Sequence, residues 1–292
     1  MPLTLILQEN DYSYIGTIIL GILLSGVVFL IFLFIRKIIT TILDGLEMGY
    51  ALFTKRPIFI HFYLFKRKLN RYQIHILKAQ FSFYNRLNEK HQTYFRHRVA
   101  TFIKRKKFIG KEGFVVTEEA KVLISATAIM LTFGFRNYII EYIKTIIIYP
   151  TAYYSRFSKA SHKGEFNPRL KTLVLSWDNF IEGHRIKNDK LNLGIHEFAH
   201  AIHFNSIKQE DINAILFVDT FNELRTMLSS NEQLKRDLVA SEFIRSYAFT
   251  NDSELLAVII ETFIESPKTF KKLFPEIYGK VKQMLNFNFS GY

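Results

Sequence analysis

The stretch LGIHEFAHAIHF, Leu193 to Phe204, holds His196, Glu197 and His200 within little more than one helical turn. On a helix, positions i and i+4 share a face, so two imidazoles at that spacing offer nitrogens to one ion about 2.0–2.1 Å away. One Zn2+ is the expected ion. Glu197 follows the first histidine directly, which sets its carboxylate beside the metal, where it can take a proton from water as a general base. The surroundings favour this chemistry over a chance match. Leu193, Ile195, Phe198, Ala199, Ala201, Ile202 and Phe204 make the helix apolar nearly all round and therefore buried. Two histidines and a carboxylate are costly to bury unpaired, and a shared metal satisfies all three.

A catalytic zinc site usually takes a third protein ligand and keeps one position open. The best region for that donor is YAFTNDSELLAVIIETFIESP, Tyr247 to Pro267. Asn251, Asp252 or Ser253 can cap a helix that Pro267 ends, with an apolar face of Leu255, Val258, Ile259, Thr262 and Phe263. Glu254 falls in its first turn and Glu261 two turns further on. The ordinary alternatives are a carboxylate favoured by the helix dipole for Glu254 and a solvated charge for Glu261.

Other elements must position these groups. Residues 145–150 (TIIIYP) and 172–177 (TLVLSW) read as strands. The second precedes the metal helix, so Leu173, Val174, Leu175, Ser176 and Trp177 are the expected edge for a bound peptide, an interior strand being the alternative. Pro150 and Pro168 bracket a polar loop between the two. Ala120 to Phe133 reads as a buried helix begun at Thr117, preceded by a tight turn at Gly110 and Gly113. Residues 80–107 carry aromatics at helical spacings, consistent with one or two amphipathic helices. The fold class expected is α+β, mostly helical, with a small mixed sheet beside the metal helix.

The chain has 292 residues, 49% hydrophobic and 22% charged, and no cysteine, which excludes disulfides, thiolate ligands and cysteine nucleophiles. Its net charge of +13 is local: residues 55–107 hold fifteen Lys or Arg against the single acid Glu89. Residues 14–35 form an uncharged run of 22, long enough to span a hydrocarbon core of about 30 Å. The segment before it contains Glu9 and Asp11 without Lys or Arg, unlike a cleavable signal. Arg36 and Lys37 follow at once, which predicts a single-pass protein of the inner cell membrane with its body in the cytoplasm. The expected organisation is a tail over 1–13, a transmembrane helix over 14–35, a basic juxtamembrane segment over 36–79 that lies on anionic lipid, and a catalytic domain over 80–292. Nucleic acid is the lesser reading of the basic stretch, since its aromatics fall at core-packing intervals rather than as a stacking platform.

HEFAH followed by YAFTNDSELLAVIIETF and FPEIYGKVKQML resembles the MtfA-like zinc peptidases (Mlc titration factor A, or glucose-regulated metallopeptidase, family). The active-site portion is also similar to the anthrax lethal factor catalytic domain. KFIGKEGFVVTEEAKVLISATAIMLTFG, IIIYP and VLSWDNFIEG fit the same family upstream, so the likeness covers about 80–290. It implies a zincin-like domain in which His196, His200 and Glu254 bind zinc, Glu197 is the base and Tyr247 holds the oxyanion of the transition state. It also makes Glu261 a candidate to orient a ligand histidine. Where the family has an acidic residue three positions after the second histidine, this chain has His203, either an orienting group or a core histidine. The uncharged run at 14–35 is a second departure. The implied function is hydrolysis of a peptide or protein substrate; the alternative is a binding module that sequesters a regulatory protein partner such as a transcriptional repressor.

Overall fold

The computed structural model describes residues 3–155, 160–186 and 191–292. The chain divides into two units, Met1–Phe53 and Thr54–Tyr292. The first is a single helix, α1 (Leu3–Thr54), so the tail expected over 1–13 is helical from Leu3 onwards. Its apolar side chains from Ile18 to Ile35 are exposed, and it is the one helix among the described residues long and apolar enough to cross a membrane. Lys55, in the left-handed region at φ 57°, ends it two residues before Pro57.

The second unit is mostly helical: α2 (Arg71–Gln80), α3 (Ser82–Asn85), α4 (Glu89–Arg105), α5 (Glu118–Leu131), α6 (Trp177–Arg185), α7 (Leu193–Ile207), α8 (Ile212–Ser230), α9 (Glu232–Ala240), α10 (Asp252–Glu265), α11 (Pro267–Leu273) and α12 (Pro275–Met284). Its strands are β1 (Lys107–Gly110), β2 (Thr145–Tyr149), β3 (Tyr153–Ser155), β4 (Ala160–His162), β5 (Gly164–Asn167) and β6 (Thr172–Ser176). Helix α5 begins on the Thr117 cap and buries eleven of its fourteen residues against α2, α4 and α7. That burial is why so apolar a helix sits in a globular core.

The sheet has the order β1-β2-β6-β5, parallel through its first three strands, with β5 antiparallel to β6. The mixed sheet agrees with expectation, but its order corrects one reading. Strand β6, with Leu173, Val174, Leu175 and Ser176, is paired on both sides and has no edge to offer. Trp177 has left the strand and opens α6, its ring 5.6 Å from Phe180 and 5.8 Å from Phe114. The edge strands are β1 and β5, the latter from inside the polar loop; β3 and β4 form a separate antiparallel ribbon.

The second unit begins at Thr54, so residues 54–79, expected as part of the juxtamembrane segment, lie within it. Leu69, Ile76 and Leu77 belong to its core. Ahead of them, Arg98 on α4 is fully buried and donates to the carbonyls of Ile60, Thr132 and Phe133 and to the Tyr63 hydroxyl. The Arg67 amide donates to His97 Nδ1 at 2.7 Å. These bonds fasten residues 60–67 to α4 without regular secondary structure.

Candidate metal centre

Two capped helices carry the polar groups. Asn192 caps α7, its side-chain oxygen accepting from the Ile195 amide, and Asn251 caps α10, accepting from the amides of Ser253 and Glu254. Helix α10 packs against α7, which brings the first turn of one to the middle of the other. His196 Nε2 lies 3.2 Å from His200 Nε2 and 3.1 Å from Glu254 Oε2, and His200 Nε2 lies 3.4 Å from Glu254 Oε1.

Those spacings suit a shared cation. Ligands about 2.0–2.1 Å from a tetrahedral ion stand about 3.3–3.4 Å from each other. Glu254 Oε2 is buried and makes no hydrogen bond although it lies 3.1 Å from His196 Nε2, so it is an unsatisfied acceptor aimed at the point where the three groups meet. Two imidazoles and a carboxylate are also one of the donor sets that catalytic zinc sites use. The residues present therefore fit a bound metal, and His196, His200 and Glu254 form a group able to hold one.

Neighbouring groups fix the rings. Ser253 Oγ lies 2.9 Å from His200 Nδ1; taking the Nδ1 proton as donor to that hydroxyl leaves the Nε2 lone pair facing inward. Glu261 is 1% exposed, so the solvated alternative fails. Its carboxylate accepts from the Asn192 amide and from Arg245, and its Oε2 sits 3.5 Å from His196 Nδ1. His203 turns the other way, packing edge-on against Phe221 of α8 with ring centres 5.0 Å apart, as a core histidine.

Glu197 is buried beneath β5 and accepts a main-chain hydrogen bond from Phe166. A Cβ on Gly164 would fall 2.9 Å from Glu197 Cγ and 2.7 Å from Leu193 Cδ1, so only glycine lets the strand approach so closely. Tyr247, on a 3₁₀ turn (Ser246–Thr250), is half exposed and hydrogen-bonded to Glu254. With His196, Arg245 and Lys163 it lines a cavity of about 290 Å³.

The electrostatics follow from burial among like and unlike charges. Burial raises the Glu197 pKa, and the Glu254 charge adds to it against the two histidines. Burial pushes Glu254 upward too, but the hydrogen bond and charge of His200, the charge of His196 and the Tyr247 hydroxyl hold it below the usual range. For His196, burial favours the neutral ring, yet the hydrogen bond its ring gives to Glu261 and the charges of the surrounding carboxylates win and raise it. Burial and the adjacent Glu254 raise Tyr247, keeping its hydroxyl protonated as a donor.

Sequence reasoning brought together His196, Glu197, His200, Tyr247, Glu254 and Glu261, which all meet here. It missed Ser253, Asn192, Arg245 and Gly164. Ser253 alone carried a signal, standing next to the candidate ligand in a capped first turn.

Two histidines a turn apart on one helix, a glutamate from a second helix and a buried carboxylate between them make up a site of the metallopeptidase class. The family comparison agrees: the model described as glucose-regulated metallo-peptidase M90 matches residues 61–286, and this chain belongs to that family. A Synechocystis sp. (strain ATCC 27184 / PCC 6803 / Kazusa) protein, the uncharacterized slr2042, is 25% identical over 236 residues, spanning 75% of this chain and 85% of the relative.

Proposed function

We propose that this chain is a membrane-anchored, zinc-dependent peptidase with a zincin-like body, cleaving peptide bonds by direct attack of water. The observation that carries the reading is the convergence of His196 Nε2, His200 Nε2 and Glu254 within 3.4 Å of one another, with Glu197 buried alongside. A zinc ion held there supplies Lewis-acid chemistry, polarising the scissile carbonyl and acidifying water.

Glu197 takes the proton from the attacking water and returns it to the leaving amine. Its raised pKa suits both halves of that task, since a carboxylate nearer neutrality is a stronger base and its acid a stabler carrier. The Tyr247 hydroxyl donates to the oxyanion that forms on the carbonyl, giving up its hydrogen bond to Glu254. The substrate lies along the outer edge of β5, which no strand among the described residues occupies, and its main chain adds to the sheet next to Glu197. Helix α1 anchors the protein, and Arg36 and Lys37 after the apolar run favour a cytoplasmic body.

Zinc content of the wild type beside Glu254→Ala, together with peptide hydrolysis by Glu197→Gln, tests the reading. The first variant should lose its metal; the second should keep the metal and lose hydrolysis. Undiminished zinc in Glu254→Ala rejects the third ligand, and hydrolysis persisting in Glu197→Gln rejects the base.

A further inference from the structure

The segment between Thr54 and α2 turns one set of side chains inward and another outward. Pro57, Ile60, His61, Tyr63 and Leu69 face the body, held by Arg98 and His97. Ile58, Phe62, Leu64 and Phe65 face away, with Phe62 69%, Leu64 78% and Phe65 91% exposed. A free loop would fold such residues under or lie loose; here the buried guanidinium fixes the backbone while the hydrocarbon stays outside. Soluble monomers seldom expose a contiguous apolar group of this kind.

Along the chain the charges beside it are of one sign, Lys55 at the start of the run pairing with Glu223. From Lys55 to Arg71 the chain carries Lys55, Arg56, Lys66, Arg67, Lys68 and Arg71, and no acid. Of these, all but Lys55 are exposed, Lys66, Arg67, Lys68 and Arg71 standing beside the apolar groups. Aromatic and aliphatic groups ringed by cations match the boundary of an anionic bilayer, where rings enter the headgroup layer and cations meet lipid phosphates. The segment is also continuous in sequence with the helix able to span a membrane.

We propose that residues 58–71 form a membrane-docking surface: Phe62, Leu64 and Phe65 insert into the interface of anionic lipid, and Lys66, Arg67, Lys68 and Arg71 bind its headgroups. This deepens the anchoring part of the proposed function by holding the body flat at the surface as well as tethering it.

The chain has no cysteine, so a single spin label can be placed by Phe65→Cys, with Val115→Cys, at a similarly exposed site, as comparator. The full-length protein is reconstituted into phosphatidylcholine vesicles containing phosphatidylglycerol. The ratio of oxygen to nickel-chelate collision rates should be at least about threefold higher at 65 than at 115, falling when Lys66, Arg67 and Lys68 are changed to Glu. Equal, water-like ratios overturn the proposal. So does a label at 65 shielded from both reagents, which assigns the surface to a protein partner or a second copy. Alkaline extraction of the same vesicles tests α1 separately: protein that resists extraction while 65 stays wet leaves the anchor and removes the docking surface.

Discussion

A hydrogen bond from the Asn192 amide to the Glu261 carboxylate joins the cap of α7 to the middle of α10, and it does so beside the first metal-binding histidine. The other oxygen of Glu261 takes Arg245 and stands 3.5 Å from His196 Nδ1. One buried carboxylate thus sets the helix start, a cation and the ring.

Glu261→Gln keeps the size of the side chain and removes its charge. Metal affinity, read by chelator competition, should fall about 10–100-fold, because the imidazole loses the partner that holds its orientation and basicity. Unchanged affinity would reduce Glu261 to a strut between Asn192 and Arg245.

Gly164 offers a test that alters no charged group. In Gly164→Ala the new methyl meets Glu197 Cγ and Leu193 Cδ1 inside van der Waals distance, so either β5 or the base must shift. A misplacement of about 1 Å at a reacting group can cost about 10²-fold in rate. Turnover should therefore drop sharply with the metal retained; wild-type turnover would show that the cleft is slack.

The helices of this site were legible because their signals are local. The His196–His200 spacing, the Asn251 cap and the apolar faces of α7 and α10 can each be read within one turn. Strand β5 was not, since GEFN lacks alternation and all four residues are partly buried. The placement of β6 depends on what pairs beside it, which no single strand encodes. Without the family likeness Glu261 reads equally well as a surface charge, because its partners, Asn192 and Arg245, come from other parts of the chain. Residues 54–79 read as a juxtamembrane run for the same reason: a stretch so basic and exposed hides the Arg98 bonds that fasten it.

Tyr247→Phe separates binding from chemistry. The phenol lies next to Glu254 but is absent from the converging donor set, so metal content should be unchanged. Loss of one oxyanion donor costs about 10²–10³-fold in kcat, and KM should move little. Since its pKa is raised above the ordinary 10.0, the wild-type tyrosine stays a donor through neutral pH, and no alkaline loss of activity below that point should trace to it. A fall in zinc content instead would make the residue part of the metal's support.

His61 contributes to how the body responds to acid. Its ring packs 4.8 Å from Tyr94 and 4.7 Å from Phe133, and burial, followed by the charges of Arg98, His91 and Lys90, lowers its pKa from 6.5 to about 2. Between those values the unfolded chain binds a proton that the folded chain refuses. Stability is therefore complete above about pH 6.5 and declines as pH falls towards 2, by at most about 1.4 kcal/mol per pH unit, less for the part of the ring that reaches water. In His61→Phe the fall in thermal midpoint between pH 7 and pH 5 should shrink by about 2–4 °C. It should not vanish, because His91 and His97 are lowered as well and remain. An identical slope in the variant would mean that the ring is protonated within the fold, and that the aromatic cage around it admits water.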